Sequence, residues 1–186
     1  ANHAVRIASA LQLVPTPLPI DPWVLGVWLG DGTSTTGVVT SADAELVEGI
    51  RRAGYRVWRI PSAPYGYRVG GLVSELRALN VLANKHVPAV YLRASREQRL
   101  ALLRGLMDTD GTASGGSAEF SNTNRAIIDA AYELIVSLGW KATIRERRAY
   151  LYGRDCGPSY SIKWTPSEPV FTLARKIATQ RIAHRR

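Results

Sequence analysis

One segment in each half of the chain closes in the same way: Val24-Leu25-Gly26-Val27-Trp28-Leu29-Gly30-Asp31-Gly32 and Leu103-Arg104-Gly105-Leu106-Met107-Asp108-Thr109-Asp110-Gly111. Each is a short apolar run of helical character with small residues on one face, and each ends in Asp-Gly. Gly26 and Gly30, like Gly105 and Thr109, are spaced so that they share one helix face. That face is a flat strip on which two helix backbones can approach closely, and such an approach brings Asp31 and Asp110 to a common seam. A single Asp-Gly after a helix is usually only a turn. The repeat argues against that reading here. A carboxylate in the last turn faces the negative end of the helix macrodipole, at a cost of about 0.3–1 kcal/mol. Two such ends side by side add like-charge repulsion. A fold that accepts both costs gains a cation in exchange, and oxygen-only donors favour Mg²⁺ over zinc.

The formal charge is +9 with a pI near 10.1, and only four of the 24 basic residues are lysine: Lys85, Lys141, Lys163 and Lys176. Guanidinium groups make forked hydrogen bonds to phosphates and guanine edges that lysine cannot copy. A basic composition alone would suit a merely solvated surface. The arginines, however, cluster on candidate strands, which points to nucleic acid. At 46% hydrophobic residues the chain is globular. No apolar run reaches membrane-spanning length and no secretory leader is recognisable, so an intracellular setting (cytoplasm or nucleoid) is expected, with no membrane partner. Cys156 is the single cysteine, which excludes an internal disulfide and any multi-cysteine zinc site. His3, His86 and His184 have no metal-ligand spacing.

Residues 1–20 end in a Pro-rich stretch (Pro15, Pro17, Pro19) and read as an arm or connector. Asp21-Pro22 supplies an N-cap and a first-turn proline for a helix ending at Gly32. The pattern then predicts a strand over 33–40, a helix over 44–53, strands over 55–60 and 67–69, and a helix over 72–82. The order recurs with a helix over 96–109, a strand over 117–121, a helix capped by Asn122 or Thr123 and ended by Gly139, strands over 140–147 and 160–164, and a helix over 170–182. The expected architecture is α+β, two αββαββα-like repeats over 21–94 and 95–186.

Alternation on the strands sets Arg56, Trp58, Arg68, Lys141, Thr143, Arg145, Arg147, Tyr152, Ser161 and Lys163 outward. A two-stranded ribbon fits the major groove and offers one side chain to the bases every second residue. Asp108 needs separate treatment. Asp108-Thr109-Asp110-Gly111 with Glu119 imitates an EF-hand loop, but the glycine stands at the fourth loop position and Ala113 at the sixth, so calcium binding of that kind is not expected. On helical spacing Asp108 points away from Asp110, which suits a capping or supporting role.

The second repeated segment shares six of nine letters with the motif that names the LAGLIDADG homing endonucleases, and the first resembles the LGxxLGDG version found in inteins. Asn84-Lys85-His86-Val87-Pro88 is similar to the K-x-I-P stretch of intein-borne members, and the resemblance covers roughly residues 20 to 183. It implies a monomer of internal pseudo-two-fold symmetry, with a saddle of antiparallel strands around a central pair of LAGLIDADG helices. It also implies binding to a long asymmetric duplex DNA site and Mg²⁺-dependent hydrolysis of both strands, with two or more ions and 3′ overhangs. Asp31 and Asp110 then hold metal together with the main-chain carbonyls of Gly30 and Thr109, and Lys85 is the catalytic lysine. Its counterpart is open between Arg181, by alignment of the halves, and Lys163.

Two other readings share the fold: a DNA-binding module that does not cut, and an RNA-splicing maturase. Protein splicing by this chain is not expected, because it begins with Ala1 and ends in His184-Arg185-Arg186, with neither a Cys or Ser nucleophile nor an Asn at its ends.

Overall fold

The computed structural model describes residues 8–182; His3, His184 and the two closing arginines lie outside the described residues, and the expected arm is described from Ala8 onward. Two helices form the centre. Helix α1 (Pro22–Asp31) is capped by the Asp21 carboxylate, which accepts from the Val24 amide at 3.0 Å. Helix α5 (Arg96–Asp110) starts with a capping box in which Ser95 and Gln98 satisfy each other's backbone amides. Val24 to Leu29 are all buried, so α1 has no solvent face: it is a core helix on every side. The two helices meet where side chains are absent. A Cβ added to Gly26 would lie 2.4 Å from the Leu102 carbonyl oxygen, and one on Gly105 would lie 2.2 Å from that of Trp23. Glycine is required at both positions because backbone faces backbone.

Strand β1 (Val38–Thr40) is followed by helix α2 (Ala44–Arg52) and strands β2 (Val57–Arg59) and β3 (Gly66–Val69), which form an antiparallel sheet in the order β1-β3-β2. Helices α3 (Leu72–Ala78) and α4 (Ala89–Leu92) lead to α5. Strands β4 (Gly111–Ser114) and β5 (Ser117–Asn122), helix α6 (Arg125–Ser137) and strands β6 (Ala142–Leu151) and β7 (Arg154–Trp164) follow, ordered β4-β5-β7-β6, before a short helix α7 (Ala174–Ile177). The α+β class and the antiparallel sheets are as expected. One apolar core runs through both halves, from Ile20, Leu25 and Leu46 to Phe120, Ile135 and Phe171.

Several expected boundaries move. The second half has the αββαββα order, but the first has one strand before α2. Instead of a strand from Thr33, residues 33–36 turn (Thr36 N to Thr33 O, 3.1 Å), and Trp28 Nε1 holds that turn by donating to Thr36 O at 2.8 Å. The missing strand survives as a single bridge, Gly32 to Val39, where the second half pairs Gly111 with Phe120. Helix α6 is capped by Asn124 instead of Asn122 or Thr123. The helix expected over 170–182 is confined to Ala174–Ile177, because Val170, Phe171 and Leu173 enter the core from extended chain.

The arm lies along the second half before entering α1. Leu11 N donates to Ser137 O at 2.8 Å, the Thr16 backbone exchanges hydrogen bonds with the Gln98 amide (3.0 and 2.6 Å), and Ile20 bonds to the Tyr91 hydroxyl through both its amide and its carbonyl. Arg99 is fully buried beneath it and donates to Leu11 O, Ala94 O and the Ser137 hydroxyl.

Candidate active site

The tight crossing of α1 and α5 sets their C-terminal ends side by side, and each end is an aspartate. A Cβ on Gly30 would meet the Thr109 side chain and lie 3.2 Å from Asp110 Oδ2, which measures how near the second carboxylate comes to the first helix. Burial pushes the Asp31 carboxyl above its ordinary value, and the Asp110 charge raises it further, while Lys176 and Lys85 oppose the shift. Burial also raises Asp110, against a hydrogen bond from Asn122 Nδ2 (3.3 Å) and the same two lysines. The site is thus anion-rich and only partly compensated by the protein.

The compensation comes from two ammonium groups in matching places. Lys85 Nζ donates to the carbonyl oxygens of Leu29 (2.9 Å), Gly30 (3.3 Å) and Gly32 (2.7 Å), closing the C-terminal end of α1. Lys176 Nζ donates to Met107 (2.8 Å), Thr109 (2.9 Å) and Gly111 (2.9 Å), closing α5. Cations at helix C-termini satisfy orphan carbonyls and meet the favourable end of the macrodipole. Lys85 stands 5.1 Å from the Trp28 ring centroid and Lys176 5.7 Å from that of Phe171. Burial lowers the pKa of both lysines. The two aspartates pull both back up, and Arg175 adds to the lowering at Lys176.

The second basic group is therefore Lys176, and neither Arg181 nor Lys163 takes that place. Arg181 is exposed beyond α7, where its carbonyl comes near the Gly116 turn, and Lys163 is exposed on β7 beside Glu119 and Thr143. An alignment of the halves by spacing misses Lys176 because the second half carries a longer β-hairpin, β6–β7. A search for a lysine just after the aromatic-aliphatic stretch Val170-Phe171-Thr172-Leu173, taken as the partner of the lysine segment in the first half, would have found it.

The carbonyls of Gly30 and Thr109 each hold a lysine ammonium. Asp108 takes no part in the pair. It is buried and accepts from Trp23 Nε1 (2.8 Å), Thr172 N (2.9 Å), the Thr172 hydroxyl and Leu173 N (3.3 Å), so it ties α1 to the segment that leads into Lys176.

The outer faces of the sheets hold the remaining candidates. Arg68 pairs across strands with Trp58, which is half exposed, and Arg56 is exposed just before β2. In the larger sheet Thr143 pairs with Lys163, Arg145 with Ser161 and Arg147 with Ser159, while Ile144, Ile162 and Phe120 face the core. Lys141 is exposed one residue before β6. Tyr152 is fully exposed at the turn of the β6–β7 ribbon, with φ 49°, followed by Gly153 at φ 78°. This pair of left-handed residues suits a two-residue hairpin turn. β5 pairs only with Tyr160–Trp164 of β7, so the ribbon runs on beyond the sheet as two strands. Glu119, which the sequence reading treated only as an EF-hand mimic, lies in the same cross-strand row as Lys163 and Thr143. It puts an acceptor among the cations. No helix among the described residues is long and apolar enough to cross a membrane.

Residues 97–177 match the profile of a family described as "LAGLIDADG-like domain". Over 176 residues the chain is 39% identical to the replicative DNA helicase DnaB of Mycobacterium intracellulare; the match covers 94% of this chain but only 29% of the helicase, so the chain spans less than a third of that relative's length. Among solved structures it resembles mesophilic variants of the homing endonuclease I-DmoI (TM-score 0.56, 16% identity, 86% of this chain and 95% of that one). It also resembles I-DmoI in complex with DNA and Ca (TM-score 0.52, 16% identity, 86% and 95%) and with DNA and Mn (TM-score 0.54, 18% identity, 79% and 89%). Residues 97–177 are a LAGLIDADG-like domain, set in a chain that has the antiparallel α+β fold of I-DmoI.

Proposed function

We propose that this chain is a two-repeat homing endonuclease, with repeats over 21–94 and 95–186, that binds a long asymmetric DNA duplex and hydrolyses one phosphodiester in each strand, leaving 3′ overhangs. The observation that supports it most is the four-residue cluster at the helix seam: Asp31 and Asp110, with Lys85 and Lys176 closing the two helix ends. A DNA-binding module with no chemistry to perform has no need to hold two carboxylates above their ordinary pKa in a half-buried seam. The similarity of the chain to less than a third of a replicative helicase supports an intein, with this nuclease inserted in a host protein of another activity.

The donor set suits a hard divalent cation. It consists of carboxylates and carbonyls without sulfur or imidazole, and two carboxylates are what Mg²⁺ commonly takes from protein when substrate phosphates and water complete its shell. Among the described residues no third carboxylate, histidine or cysteine joins the pair. Asp31 and Asp110 would hold the ions, and the carbonyls of Gly30 and Thr109 would join them through the lone pair each keeps beside its lysine. When bound, the cation polarises the phosphoryl oxygen and neutralises charge at the scissile group. Lys85 and Lys176 place positive charge beside the phosphate that enters the seam, and that charge gains most as the transition state becomes more anionic. Arg56, Arg68, Lys141, Arg145, Arg147 and Lys163 hold the backbone or read bases, Thr143 and Ser161 hydrogen-bond to them, and Trp58 and Tyr152 give stacking surface.

The test is cleavage of a randomised duplex library with Mg²⁺, followed by sequencing of the ends. A recurrent long site with paired 3′ overhangs is the expected result. Tight binding without cleavage at any divalent cation overturns the nuclease assignment and leaves a DNA-binding module on this fold; preference for structured RNA leaves a maturase.

A further inference from the structure

The two lysine segments are held from the opposite half of the chain, and by different chemistry. On the first side, Asn124, the N-cap of α6, donates its amide Nδ2 to the backbone carbonyl of Lys85 at 2.8 Å. This is a neutral hydrogen bond, placed on the lysine residue itself. On the other side, Asp43, the N-cap of α2, accepts from Arg175 Nε at 2.8 Å, one residue before Lys176. Glu45 Oε2 accepts from the Ala174 amide at 2.9 Å, in the same first turn of α7. Asn124 and Asp43 are the same structural position in the two halves, each the first-turn cap of the helix after the motif. One cap reaches across with an amide and the other with a charge.

The Arg175 side chain is 62% exposed and that of Asp43 19% exposed, so the ion pair sits at the water boundary, where salt screens it. α7 has only four residues and depends on such contacts for its position. The Lys85 segment has no comparable charge in its cross-half link.

We infer that Asn124 and Asp43 with Arg175 are positioning residues, each setting a lysine of the opposite half, and that the ionic tether makes the Lys176-dependent strand cut sensitive to ionic strength while the Lys85-dependent cut is not. This inference rests on the nuclease reading above. It gives the enzyme a strand bias that salt controls: as ionic strength rises, one strand is nicked ahead of the other.

The experiment follows each strand separately in single-turnover reactions, with the full chain in saturating excess over a duplex recovered from the library and labelled on both strands. The ratio of the two strand rates does not depend on affinity. Asp43→Asn keeps a residue that caps helices well but removes the charge. It is expected to slow one strand about 10- to 100-fold, the scale on which a small misplacement acts, and to leave the other strand and the melting temperature nearly unchanged. Arg175→Gln does the same, and Arg175→Lys restores most of the lost rate. Asn124→Ala slows the other strand, with no added salt dependence. In the unaltered chain the strand ratio grows with salt, and amide exchange quickens at residues 174–177 but not at 84–86. Equal slowing of both strands, or a ratio that neither Asp43→Asn nor Arg175→Gln moves, overturns the inference alone. No cutting of either strand by a chain whose α7 amides are protected overturns the nuclease reading and this inference with it.

Discussion

Lys85 and Lys176 are equivalent by the internal symmetry of the molecule, although they share no local sequence: each places one ammonium on three carbonyl oxygens at the end of a central helix, straddling the aspartate that closes it. A lysine that only stabilised its helix would serve equally well on the outside. These two face the carboxylate seam, and each has its pKa pulled up by both aspartates.

Lys85→Ala and Lys176→Ala are each expected to slow the cutting of one strand by roughly 10²-fold, as loss of a transition-state donor does, with little change in DNA affinity. Nicked duplex then accumulates, with opposite strands intact in the two variants. A lysine used only to grip phosphate would raise the dissociation constant and leave the single-turnover rate unchanged. Measuring both quantities decides between them.

Neutralising either aspartate is expected to stabilise the fold while stopping cleavage. The unfolded carboxyl titrates near 3.8, and the folded one titrates higher because of burial. The folded state therefore holds the proton more tightly, so stability is lost as pH rises from that value through the folded pKa and the full cost is present at pH 7. Asp31→Asn and Asp110→Asn should melt about 2–4 °C higher than the parent at pH 7 without divalent cation, with the difference fading as the pH falls towards 4. Adding Mg²⁺ should raise the parent alone, because only it binds the ion at this seam. Thermal melts at several pH values, with and without Mg²⁺, would show it; a variant that melts lower and still cuts would end the assignment.

The crossing of α1 and α5 makes a separate, purely structural prediction. Gly105→Ala puts a methyl 2.2 Å from the Trp23 carbonyl oxygen, and backbone cannot rotate out of the way. A loss of about 1–3 kcal/mol or more in urea unfolding is expected, as for other overpacked cores. Gly30→Ala meets the Thr109 side chain instead. Pairing it with Thr109→Gly should recover most of the loss, whereas the same partner change should not rescue Gly105→Ala.

The central helices and the aspartate pair were legible because a repeated motif fixes composition and spacing together: Gly26, Gly30 and Gly105 can be read as close-approach residues before any coordinates exist. What was not legible depends on partners distant in the chain. β4, from Gly111 to Ser114, has no apolar alternation of its own and becomes a strand only by pairing with β5. Val170, Phe171 and Leu173 look like the start of a helix, but their burial is met in extended chain that Asp108 anchors at Thr172. Lys176 escaped notice for the same reason. Its position follows from the length of the β6–β7 ribbon and from Asp108, Asp43 and Glu45, none of them close to it in sequence.

The charge on the outer sheet faces leads to the last prediction. Some arginines of the chain are already paired: Arg148 with Asp155 and Arg125 with Asp129. Arg56, Arg68, Arg145 and Arg147 form no such pair among the described residues and stand exposed on or beside outward strand positions. If duplex DNA lies against these faces, affinity falls steeply with salt, by on the order of 10³–10⁵ between 50 and 200 mM for roughly 6–10 phosphate contacts. Within that total the four residues should separate into two kinds. An arginine on phosphate, changed to alanine, weakens binding to every sequence alike and lowers the salt slope by about one. An arginine forked onto guanine costs about 1–3 kcal/mol and relaxes selectivity at one position. Arg145 and Arg147 lie two residues apart on one strand and reach the duplex at different depths, so they are expected to fall into different kinds. Fluorescence anisotropy titrations of the four alanine variants, at three salt concentrations and on matched and mismatched duplexes, give both readings. Unchanged affinity and selectivity in all four would mean that the positive charge is a solvated surface and that DNA lies elsewhere.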